Sequence, residues 1–557
     1  MLPAFAPKLD HVLAMVAYPF DPTIVTAIPG PPFPIGLPGW PLADPDLFSY
    51  DLPGGTRVVL AAGEGFVTNA GDLLPHQWFA PLVADGFNFT DSLFDGIDPA
   101  EGRSGTGEGG GGELKFNDVE GRLDRIVQVA GWDGRAVELW RGKRGAPFSA
   151  FQRVAVLTSD GWTGLNRSTK SLKIRDRQAR LYGTPLVGAT YAGTGGIDGD
   201  AGAKGNLKPW AFGYVFGVEP VVFDAANLLA QWHCRPVHAV LNLFVGGNPW
   251  TNMGDYPTLA ALIAAAAGWA NGQFGTCNAL ATVRYGAVPS HPVRIEGQGD
   301  KYGGVYAGTR GAIVRRIATT CGMLPMRDPD DIDTASFATL DLVQPGECGW
   351  HWKGDISIGA ALDEMMTGCA GWWDVGLDGK LSVAQLEEPS STPDLIIDAA
   401  TANLAGEPTR EDDLPPRAKT RVGWQRNYAP LSSSDLTGAA NASAATQRLF
   451  GDEWRYAQRE NSGVRVLYPK AREVTIAGNY RNEADADAEA QRQQALFSKK
   501  RERWTFPTHV DALAALKNKT VRVDNWNRYE FGAARSLRSL GLTAGSRAVT
   551  AGLMLWG

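Results

Sequence analysis

Glycine and proline interrupt this chain along its whole length. Glycine (67 residues) and proline (35) together make up about 18% of the 557 residues, against roughly 12% in an average protein. Residues 29–45, PGPPFPIGLPGWPLADP, hold seven prolines, so they form neither a helix nor a central strand; we expect an extended arm or loop lying against a neighbour. Residues 102–113, GRSGTGEGGGGE, are flexible by composition. These breakers predict many turns and short strands.

Length and charge limit the class of protein. At about 150 residues per domain, the chain predicts three or four domains. An apolar share of 44% and a charged share of 20% are typical of a folded protein. The formal net charge of −7 argues against a protein that binds tightly to the nucleic-acid backbone, because such binding needs an excess of basic residues. The 18 tryptophans suit both cores and subunit interfaces, and we expect most of them in cores.

The sequence carries no evident targeting or disulfide signal. Its first 20 residues lack a basic region followed by an apolar core, so no secretory signal is predicted. The most apolar stretch, residues 258–270, is too short to span a bilayer. Five widely spaced cysteines do not resemble a disulfide framework. We therefore expect a soluble chain that is made in the cytoplasm.

Period-two alternation of apolar residues predicts two strands after the glycine run. They are residues 135–142 (RAVELWRG) and 171–181 (SLKIRDRQARL). The second strand would place Lys173, Arg175 and Arg177 on one face. We expect this basic face to be solvated rather than bound to a phosphate or a partner.

Helical spacing appears later in the chain. It predicts helices over residues 257–270, 309–321, 357–369 and 483–503. In the last of these, Asn482 can cap the start, acidic residues follow it, and KKRER closes the end. That polarity suits the helix dipole.

The remaining signals complete a β-dominated α+β prediction. Asp378-Gly379 predicts a hairpin within residues 372–389, and strands are predicted at 520–526 and 548–557. The predicted domains are a Pro/Gly-rich β region with an extended arm (1–125), a β-rich domain (126–215), a mixed α/β segment (216–300), an α/β domain with helices and the Asp-Gly hairpin (301–410), and a C-terminal β-barrel-like domain containing helix 483–503 (411–557).

The glycine-rich residues 191–210, YAGTGGIDGDAGAKGNLKPW, invite comparison with a phosphate-binding loop. In a P-loop, Lys204 would follow a glycine and precede Ser or Thr, but alanine and glycine flank it. Gly193 and Gly195 would need a third glycine where Asp198 stands, so the dinucleotide fingerprint fails too. The stretch is predicted to be a connector.

Possible metal ligands occur in two places. His233, Cys234 and His238 lie close together in HCRPVH, but no second pair of ligands follows, so we favour a structural role. Three later cysteines are expected to pack in cores rather than to hold a metal or an iron–sulfur cluster, since two of them fall on apolar helix faces. These cysteines are Cys321, Cys348 and Cys369.

Other catalytic and calcium motifs are incomplete. Residues 328–333, DPDDID, resemble the start of a calcium loop but lack its central glycine, and Thr339 stands where glutamate would close it. The sequence has no G-x-S-x-G elbow and no H-E-x-x-H motif. A carboxylate pair for glycan hydrolysis cannot be located from the sequence. We therefore assign no catalytic, cofactor-binding or metal-ligating residue and expect no cofactor.

Seven segments carry patterns of another kind. They are residues 65–81 (GFVTNAGDLLPHQWFAP), 131–142 (GWDGRAVELWRG), 171–181, 207–233 (LKPWAFGYVFGVEPVVFDAANLLAQWH), 303–323 (GGVYAGTRGAIVRRIATTCGM), 331–341 (DIDTASFATLD) and 354–389 (GDISIGAALDEMMTGCAGWWDVGLDGKLSVAQLEEP). Together they resemble the baseplate or tail-tip hub proteins of long-tailed, siphovirus-like bacteriophages and related tail-like particles.

The resemblance implies a structural role in a virion. Such hubs join the distal tail tube to the tip or fibres, and each chain supplies two tail-tube-like β-barrel domains, so that three chains form a pseudo-sixfold ring. The β-rich regions near the two chain ends are the expected barrels, with mixed α/β domains inserted between them. Some relatives carry an iron–sulfur cluster, but this chain lacks a compact group of four cysteines.

The expected partners follow from that role. They are a second and third copy of the chain, the distal tail protein or tail tube, tail fibre or tip proteins, and DNA that passes without tight binding, with no membrane insertion. The expected location is the tail tip of a virion assembled in the bacterial cytoplasm. Two alternatives stay open: a tail-associated peptidoglycan or glycan hydrolase, and a carbohydrate-binding module for host adsorption.

Overall fold

The computed structural model shows a β-dominated α+β architecture. The residues it describes are 11–20, 49–52, 56–85, 88–94, 111–164, 166–186, 188–323, 325–376, 378–398, 404, 406–508, 518–525, 534–545 and 551–557. The predicted arm at 29–45 and residues 102–110 of the glycine-rich segment lie outside this set. Within it, no helix combines the length and the apolar character needed to cross a membrane.

Strands and helices are numbered along the chain. The strands up to residue 300 are β1 (His11–Ala17), β2 (Ser49–Leu52), β3 (Thr56–Ala62), β4 (Phe66–Val67), β5 (Trp78–Phe79), β6 (Val83–Asp85), β7 (Asn88–Ser92), β8 (Gly111–Asn117), β9 (Ala136–Lys143), β10 (Gln152–Thr163), β11 (Thr169–Asp176), β12 (Trp210–Val218), β13 (Val221–Asp224), β14 (Leu229–Gln231), β15 (Val237–Val245), β16 (Asn248–Pro249), β17 (Thr251–Asp255), β18 (Gln273–Cys277), β19 (Thr282–Tyr285) and β20 (Val293–Asp300).

The later strands are β21 (Gly349–Trp352), β22 (Gly371–Val375), β23 (Leu381–Gln385), β24 (Leu395–Asp398), β25 (Thr409–Leu414), β26 (Arg417–Trp424), β27 (Arg455–Glu460), β28 (Arg472–Tyr480), β29 (Arg501–Thr508), β30 (Thr520–Asp524), β31 (Ala534–Gly545) and β32 (Ala551–Trp556). The helices are α1 (Asp124–Val129), α2 (Gln178–Gly183), α3 (Leu259–Ala265), α4 (Arg310–Thr320), α5 (Thr334–Val343), α6 (Ile358–Thr367), α7 (Gly438–Ala442), α8 (Ala444–Gly451), α9 (Ser462–Leu467) and α10 (Glu483–Phe497).

Eight strands of the described N-terminal part form one sheet, in the order β2-β3-β1-β9-β10-β11-β8-β6. The strand predicted at 135–142 is confirmed as β9, which pairs antiparallel with β1 and β10. Residues 111–113, predicted to be flexible, instead begin β8, because β11 offers this segment a continuous row of backbone partners.

The second predicted strand is confirmed only in its first half. In β11, Lys173 and Arg175 are exposed, as expected for a solvated face. The strand ends at Asp176 and the chain turns into α2. Arg177 is only partly exposed, because its guanidinium donates to the carbonyl oxygen of Gly379 (2.8 Å) and to Oδ1 of Asp331 (3.1 Å). The prediction of a solvated Arg177 is therefore wrong.

The two ends of the chain share one core. The C-terminal strands form a sheet in the order β24-β30-β31-β32-β29-β25, and β7 from the N-terminal part pairs with β31. Leu139 and Leu172 from the N-terminal sheet pack in the same buried cluster as Phe506, Val523 and Leu555 from the C-terminal sheet. We call these two sheets the first β unit; the domain boundary predicted at residue 125 falls inside it, between β8 and β9.

A second β unit occupies the middle of the chain. It consists of two five-stranded sheets, in the orders β16-β15-β20-β12-β21 and β13-β14-β19-β18-β17. Its core is a separate cluster in which Trp232 packs with Leu243, Phe274, Val283 and Ile295, all of them buried. Leu243 and Ile295 lie on strands of the first sheet, and Phe274 and Val283 lie on strands of the second, so the unit has its own core between two layers.

Close strand packing accounts for part of the glycine content. Gly213 of β12 lies directly opposite Gly349 of β21. A Cβ atom on Gly213 would lie 2.0 Å from the carbonyl oxygen of Cys348, and the residue has a φ of +62°. Only glycine avoids both the steric overlap and the backbone strain at this position.

Helices α4, α5 and α6 pack with the β22–β23 hairpin in a third large core. The helices predicted at 309–321 and 357–369 are confirmed. Thr309 accepts a capping hydrogen bond from the backbone N–H of Ala312 (3.4 Å), and Ser357 accepts one from Ala360 (3.2 Å). The predicted hairpin is confirmed too, with Gly379 at a φ of +80° in its turn.

Two helices end earlier than predicted. Helix α10 ends at Phe497, and the basic residues expected to close it lead into β29 at Arg501, because β25 and β32 pair with that segment. Asn482 holds the N-cap position, but its side chain makes no capping hydrogen bond. Helix α3 ends at Ala265 and continues only as a short 3-10 turn.

Candidate functional site

A groove of about 490 Å³ lies between helix α5 and the β22–β23 hairpin. Its remaining wall comes from Asn518 and Lys519, which precede β30, and from Glu387 after β23. Three separate parts of the chain therefore build it: helix α5, the hairpin with the residues just after it, and residues 518–519. Its volume falls within the range of sites that bind small molecules or several side chains.

Helix α5 supplies the first wall. Asp333 at the N-cap, Ser336, Thr339 and Val343 line the groove at intervals of three or four residues, so they share one helix face. The Ser336 hydroxyl accepts a hydrogen bond from the backbone N–H of Val383 (3.1 Å) and donates to the carbonyl oxygen of Asp333 (2.8 Å). This pair of bonds fixes the helix start against strand β23.

The hairpin supplies the second wall. Trp372 and Asp374 alternate with core residues along β22, and directly opposite them on β23 lie Ala384 and Ser382. Residues opposite one another in an antiparallel pair share a face. Asp374 is buried, with 2% of its surface exposed. The hairpin thus places a carboxylate deep in the groove beside an indole ring.

Acidic groups dominate the charge of the groove. Asp333, Asp374, Asp378 and Glu387 line it. Glu387 lies 3.9 Å from the guanidinium of Arg538, and Asp378 accepts a hydrogen bond from a backbone N–H of its own turn. Among the described lining residues only two lysines, at 380 and 519, carry positive charge. The excess of carboxylates favours a cationic partner over an anionic one.

A buried polar network fixes the groove from behind. The Gln344 amide donates to Gln385 (2.7 Å) and to Glu489 of helix α10 (2.9 Å), and its oxygen accepts from the Tyr480 hydroxyl (2.7 Å). Arg492 pairs with the same glutamate at 2.6 Å. Burial raises the pKa of Tyr480 well above its usual value, so this phenol stays a proton donor. A connected network of this kind holds the hairpin rigidly against α10.

The HCRPVH motif forms a structural contact. Nδ1 of His233 accepts the backbone N–H of Ala211 (2.9 Å), so Nε2 carries the proton and donates to Asp300 (3.2 Å). Burial lowers the pKa of His233 despite this carboxylate. The His238 ring instead stacks on Tyr306, with 4.9 Å between ring centroids. Throughout the part of the chain that the structure describes, no three His, Cys, Asp or Glu side chains form a group that could hold a metal ion.

The cysteines lie in apolar surroundings. Cys321, Cys348 and Cys369 are buried in the core of helices α4 to α6, which confirms their predicted packing role, and Cys234 borders the same core. Burial raises the pKa of Cys321 to about 11 and the pKa values of Cys348 and Cys234 to about 12. Thiols held in the protonated form are poor nucleophiles and poor ligands.

The aspartates of DPDDID bind arginines. Asp328 pairs with Arg315 through two hydrogen bonds of 2.8 and 2.6 Å. Asp331 accepts from Arg327 and Arg177. Burial alone would raise the pKa of Asp331, but these arginines hold it well below its usual range. Both carboxylates therefore form ion pairs that connect this segment to other parts of the chain.

The glycine-rich residues 191–210 are a connector, as predicted. They form turns and a short 3-10 helix and then enter β12. The Lys208 ammonium donates to the carbonyl oxygen of Ile197 (3.1 Å) and lies 5.0 Å from the centre of the Tyr191 ring. The lysine inside the stretch, Lys204, packs its methylene groups near Gly193.

Sequence reasoning missed helix α5 and therefore the groove. A signal was present, because Phe337 and Leu340 follow Asp333 at helical spacing and both are buried. The groove itself depends on segments separated by more than a hundred residues. No local pattern brings those segments together.

Comparison with known proteins yields structural neighbours only. No protein-family model and no curated protein matches the sequence. The matching solved structures include a 43 kDa tail protein of prophage MuSo2 from Shewanella oneidensis (10% identity, 85% of this chain and 93% of that chain, TM-score 0.33) and a tail protein from Neisseria meningitidis MC58 (11%, 86% and 93%, TM-score 0.34). A third is a chain of a native gene transfer agent virion (12%, 63% and 84%, TM-score 0.39).

Two of these neighbours are tail proteins, one of them from a prophage, and the third belongs to a gene transfer agent virion. Their TM-scores are too low to define a shared fold. The β-dominated α+β architecture is therefore assigned from the sheets and cores of this chain alone.

Proposed function

We propose that this chain is a structural hub of a phage-like tail, joining the distal tube to the tip or fibres. The observation that carries the proposal is the presence of two double-layered β units in one chain, each with a separate core. Three copies would then contribute six such units around one axis, which suits the sixfold symmetry of a tail tube. The sequence resemblance to tail hubs supports the same assignment.

The charge of the chain fits a passage for DNA. A net charge of −7 disfavours tight binding to the phosphate backbone, and a channel that releases DNA must not hold it. In this proposal the homotrimer contacts the distal tail protein or tube on one side and fibre or tip proteins on the other. Helices α4 to α6 and the groove decorate the outside of the β units.

The test is the position of the chain in a particle. Tail-like particles purified on a gradient from the native source would be imaged by cryo-electron microscopy, with mass spectrometry verifying that the chain is present. We expect three copies around a central channel at the distal end of the tube. Density only in a peripheral fibre, or absence from the particle, would overturn the proposal.

A second candidate function is favoured by the groove. Its four carboxylates and buried Trp372 are the residue types that glycan hydrolases use. If the groove hydrolyses peptidoglycan or a surface glycan, the purified chain should clear a cell-wall suspension, and Asp374→Asn should reduce that rate by at least roughly a hundredfold.

The structural proposal predicts no clearing by either form of the chain. Asn518→Asp serves as a matched control, because it alters a lining residue without removing a carboxylate. Glycan binding without hydrolysis would instead indicate a carbohydrate-binding module.

A further inference from the structure

A small cavity lies where the second β unit meets the three-stranded sheet β27-β26-β28. Its volume is about 10 Å³, which is at the lower limit of roughly 10–15 Å³ that one water molecule needs. Tyr214 and Phe216 of β12 and Gly349 of β21 line it from the second β unit. The other side is formed by the end of β28 and by the residues that follow β26, namely Gln425, Arg426, Tyr428, Asn479 and Tyr480.

The side chain of Asn479 leaves a hydrogen bond unmade. This residue lines the cavity and is only 6% exposed. Among the residues that the structure describes, no group donates a hydrogen bond to its buried Oδ1 atom. A buried amide oxygen without a partner is costly, and proteins satisfy nearly all such atoms with protein groups or with ordered water. The cavity beside this amide supplies the space for a partner.

The backbone around the cavity has an uncommon conformation. Gln425 has a φ of +43° and Asn479 a φ of +57°, a region that residues other than glycine seldom occupy. The backbone N–H of Gln425 donates to the carbonyl oxygen of Tyr480 (2.6 Å), which holds the two segments together. Such conformations persist only where the surrounding structure imposes them. The wall of the cavity is therefore built from hydrogen-bonded backbone.

Two further acceptors belong to residues that line the cavity. The Tyr214 hydroxyl donates to Glu296 (2.6 Å) and accepts from the amide of Gln425 (2.9 Å), so its oxygen keeps one lone pair. The carbonyl oxygen of Gly349 accepts from the Tyr428 hydroxyl (3.2 Å) and also keeps one. Together with the amide oxygen, these atoms provide the two to four polar partners that a buried water needs.

Charge and size favour a neutral occupant. The described lining of the cavity includes the cationic side chain of Arg426 and no carboxylate. A bound cation would therefore meet a like charge without a counter-charge in the wall. The volume leaves no space for a molecule larger than water.

We propose that one ordered water molecule binds in this cavity. It donates one hydrogen bond to Oδ1 of Asn479 and directs its other proton toward the Tyr214 hydroxyl or the Gly349 carbonyl oxygen. Because Asn479 lies on β28 and the other two residues lie on β12 and β21, this water joins the second β unit to the neighbouring sheet. The inference is independent of the hub function, since it concerns two parts of one chain.

A crystal structure of the full chain, at a resolution that shows ordered water, tests the proposal. We expect a water peak about 2.5–3.0 Å from Oδ1 of Asn479. The absence of a peak, or a protein group at that distance from Oδ1, would overturn the proposal. This measurement needs no variant, so it does not depend on whether a substituted chain folds.

A pair of substitutions tests the role of the amide. Asn479→Gly removes the acceptor while tolerating the positive φ, and we expect the water peak to be lost. Asn525→Gly is the matched control: Asn525 also has a positive φ, +55°, but it is exposed and lies outside the described lining of the cavity, so the peak should remain. An unchanged peak in Asn479→Gly would show that the water does not serve this amide. None of these outcomes bears on where the chain lies in a particle.

Discussion

Replacing Asp300 by asparagine is expected to lower the free energy of unfolding by about 3–5 kcal/mol, since it breaks a buried charge cluster. The Asp300 carboxylate is fully buried and accepts from Nε2 of His233 (3.2 Å) and from the guanidinium of Arg316 (2.5 Å). Burial alone would raise the pKa of Asp300, but these partners hold it below its usual value. The substitution would leave the largely buried Arg316 without its counter-charge.

Denaturant unfolding of the two proteins at pH 7 measures this effect. Asp330→Asn is the control, because Asp330 is exposed on the surface, and its substitution should change stability by no more than about 0.5 kcal/mol. A loss below about 1 kcal/mol for Asp300→Asn would contradict the importance of the cluster. The cluster links β20 to helix α4, so the damage should reach both the second β unit and the helical core.

Acidification from pH 7 to pH 4 is expected to destabilise the protein, with a large part of the loss coming from His351. This imidazole is buried against Tyr428, and burial lowers the pKa of His351 to about 3, from about 6.5 in an unfolded chain. Because the pKa of His351 is lower in the folded protein than in the unfolded chain, the contribution of His351 to the free energy of unfolding is at its maximum above pH 6.5. That contribution is lost as the pH falls from 6.5 toward 3, and the loss between pH 7 and pH 4 amounts to about 3 kcal/mol.

His351→Phe should flatten this dependence, because phenylalanine keeps the ring contact with Tyr428 and cannot bind a proton. Burial lowers the pKa of His233 as well, so a slope of the same sign should remain. Unfolding free energies at pH 7, 6, 5 and 4 provide the measurement. His76→Asn is the control: His76 is exposed and has a φ of +54°, a conformation that asparagine tolerates. An unchanged slope in His351→Phe would refute the assignment.

Local structure was predictable from the sequence wherever caps and periodicity agreed. Thr309 and Ser357 start their helices as expected, and Asp378-Gly379 forms its hairpin turn. Predictions failed where a distant segment decided the outcome. Strand β11 ends earlier than predicted because Arg177 forms an ion pair with Asp331. Helix α10 ends earlier than predicted because the residues after it pair, as strand β29, with strands β25 and β32.

The groove was beyond sequence reasoning for the same reason. Its acidic residues Asp333, Asp374 and Glu387 are individually unremarkable in a chain with 60 carboxylates. Only the packing of α5 on β23 and the approach of residues 518–519 make them neighbours.

The shared core of the first β unit has a consequence for synthesis on the ribosome. Leu139 and Leu172 emerge early, but the side chains that cover them, such as Phe506 and Leu555, are made several hundred residues later. At about 5–20 residues per second, the N-terminal sheet waits tens of seconds with one apolar face open. The second β unit, whose strands are nearly contiguous, can form during that wait. Translation order thus makes the unit that joins both chain ends the last to close, and a nascent chain interrupted before β29 is a substrate for chaperones rather than for assembly.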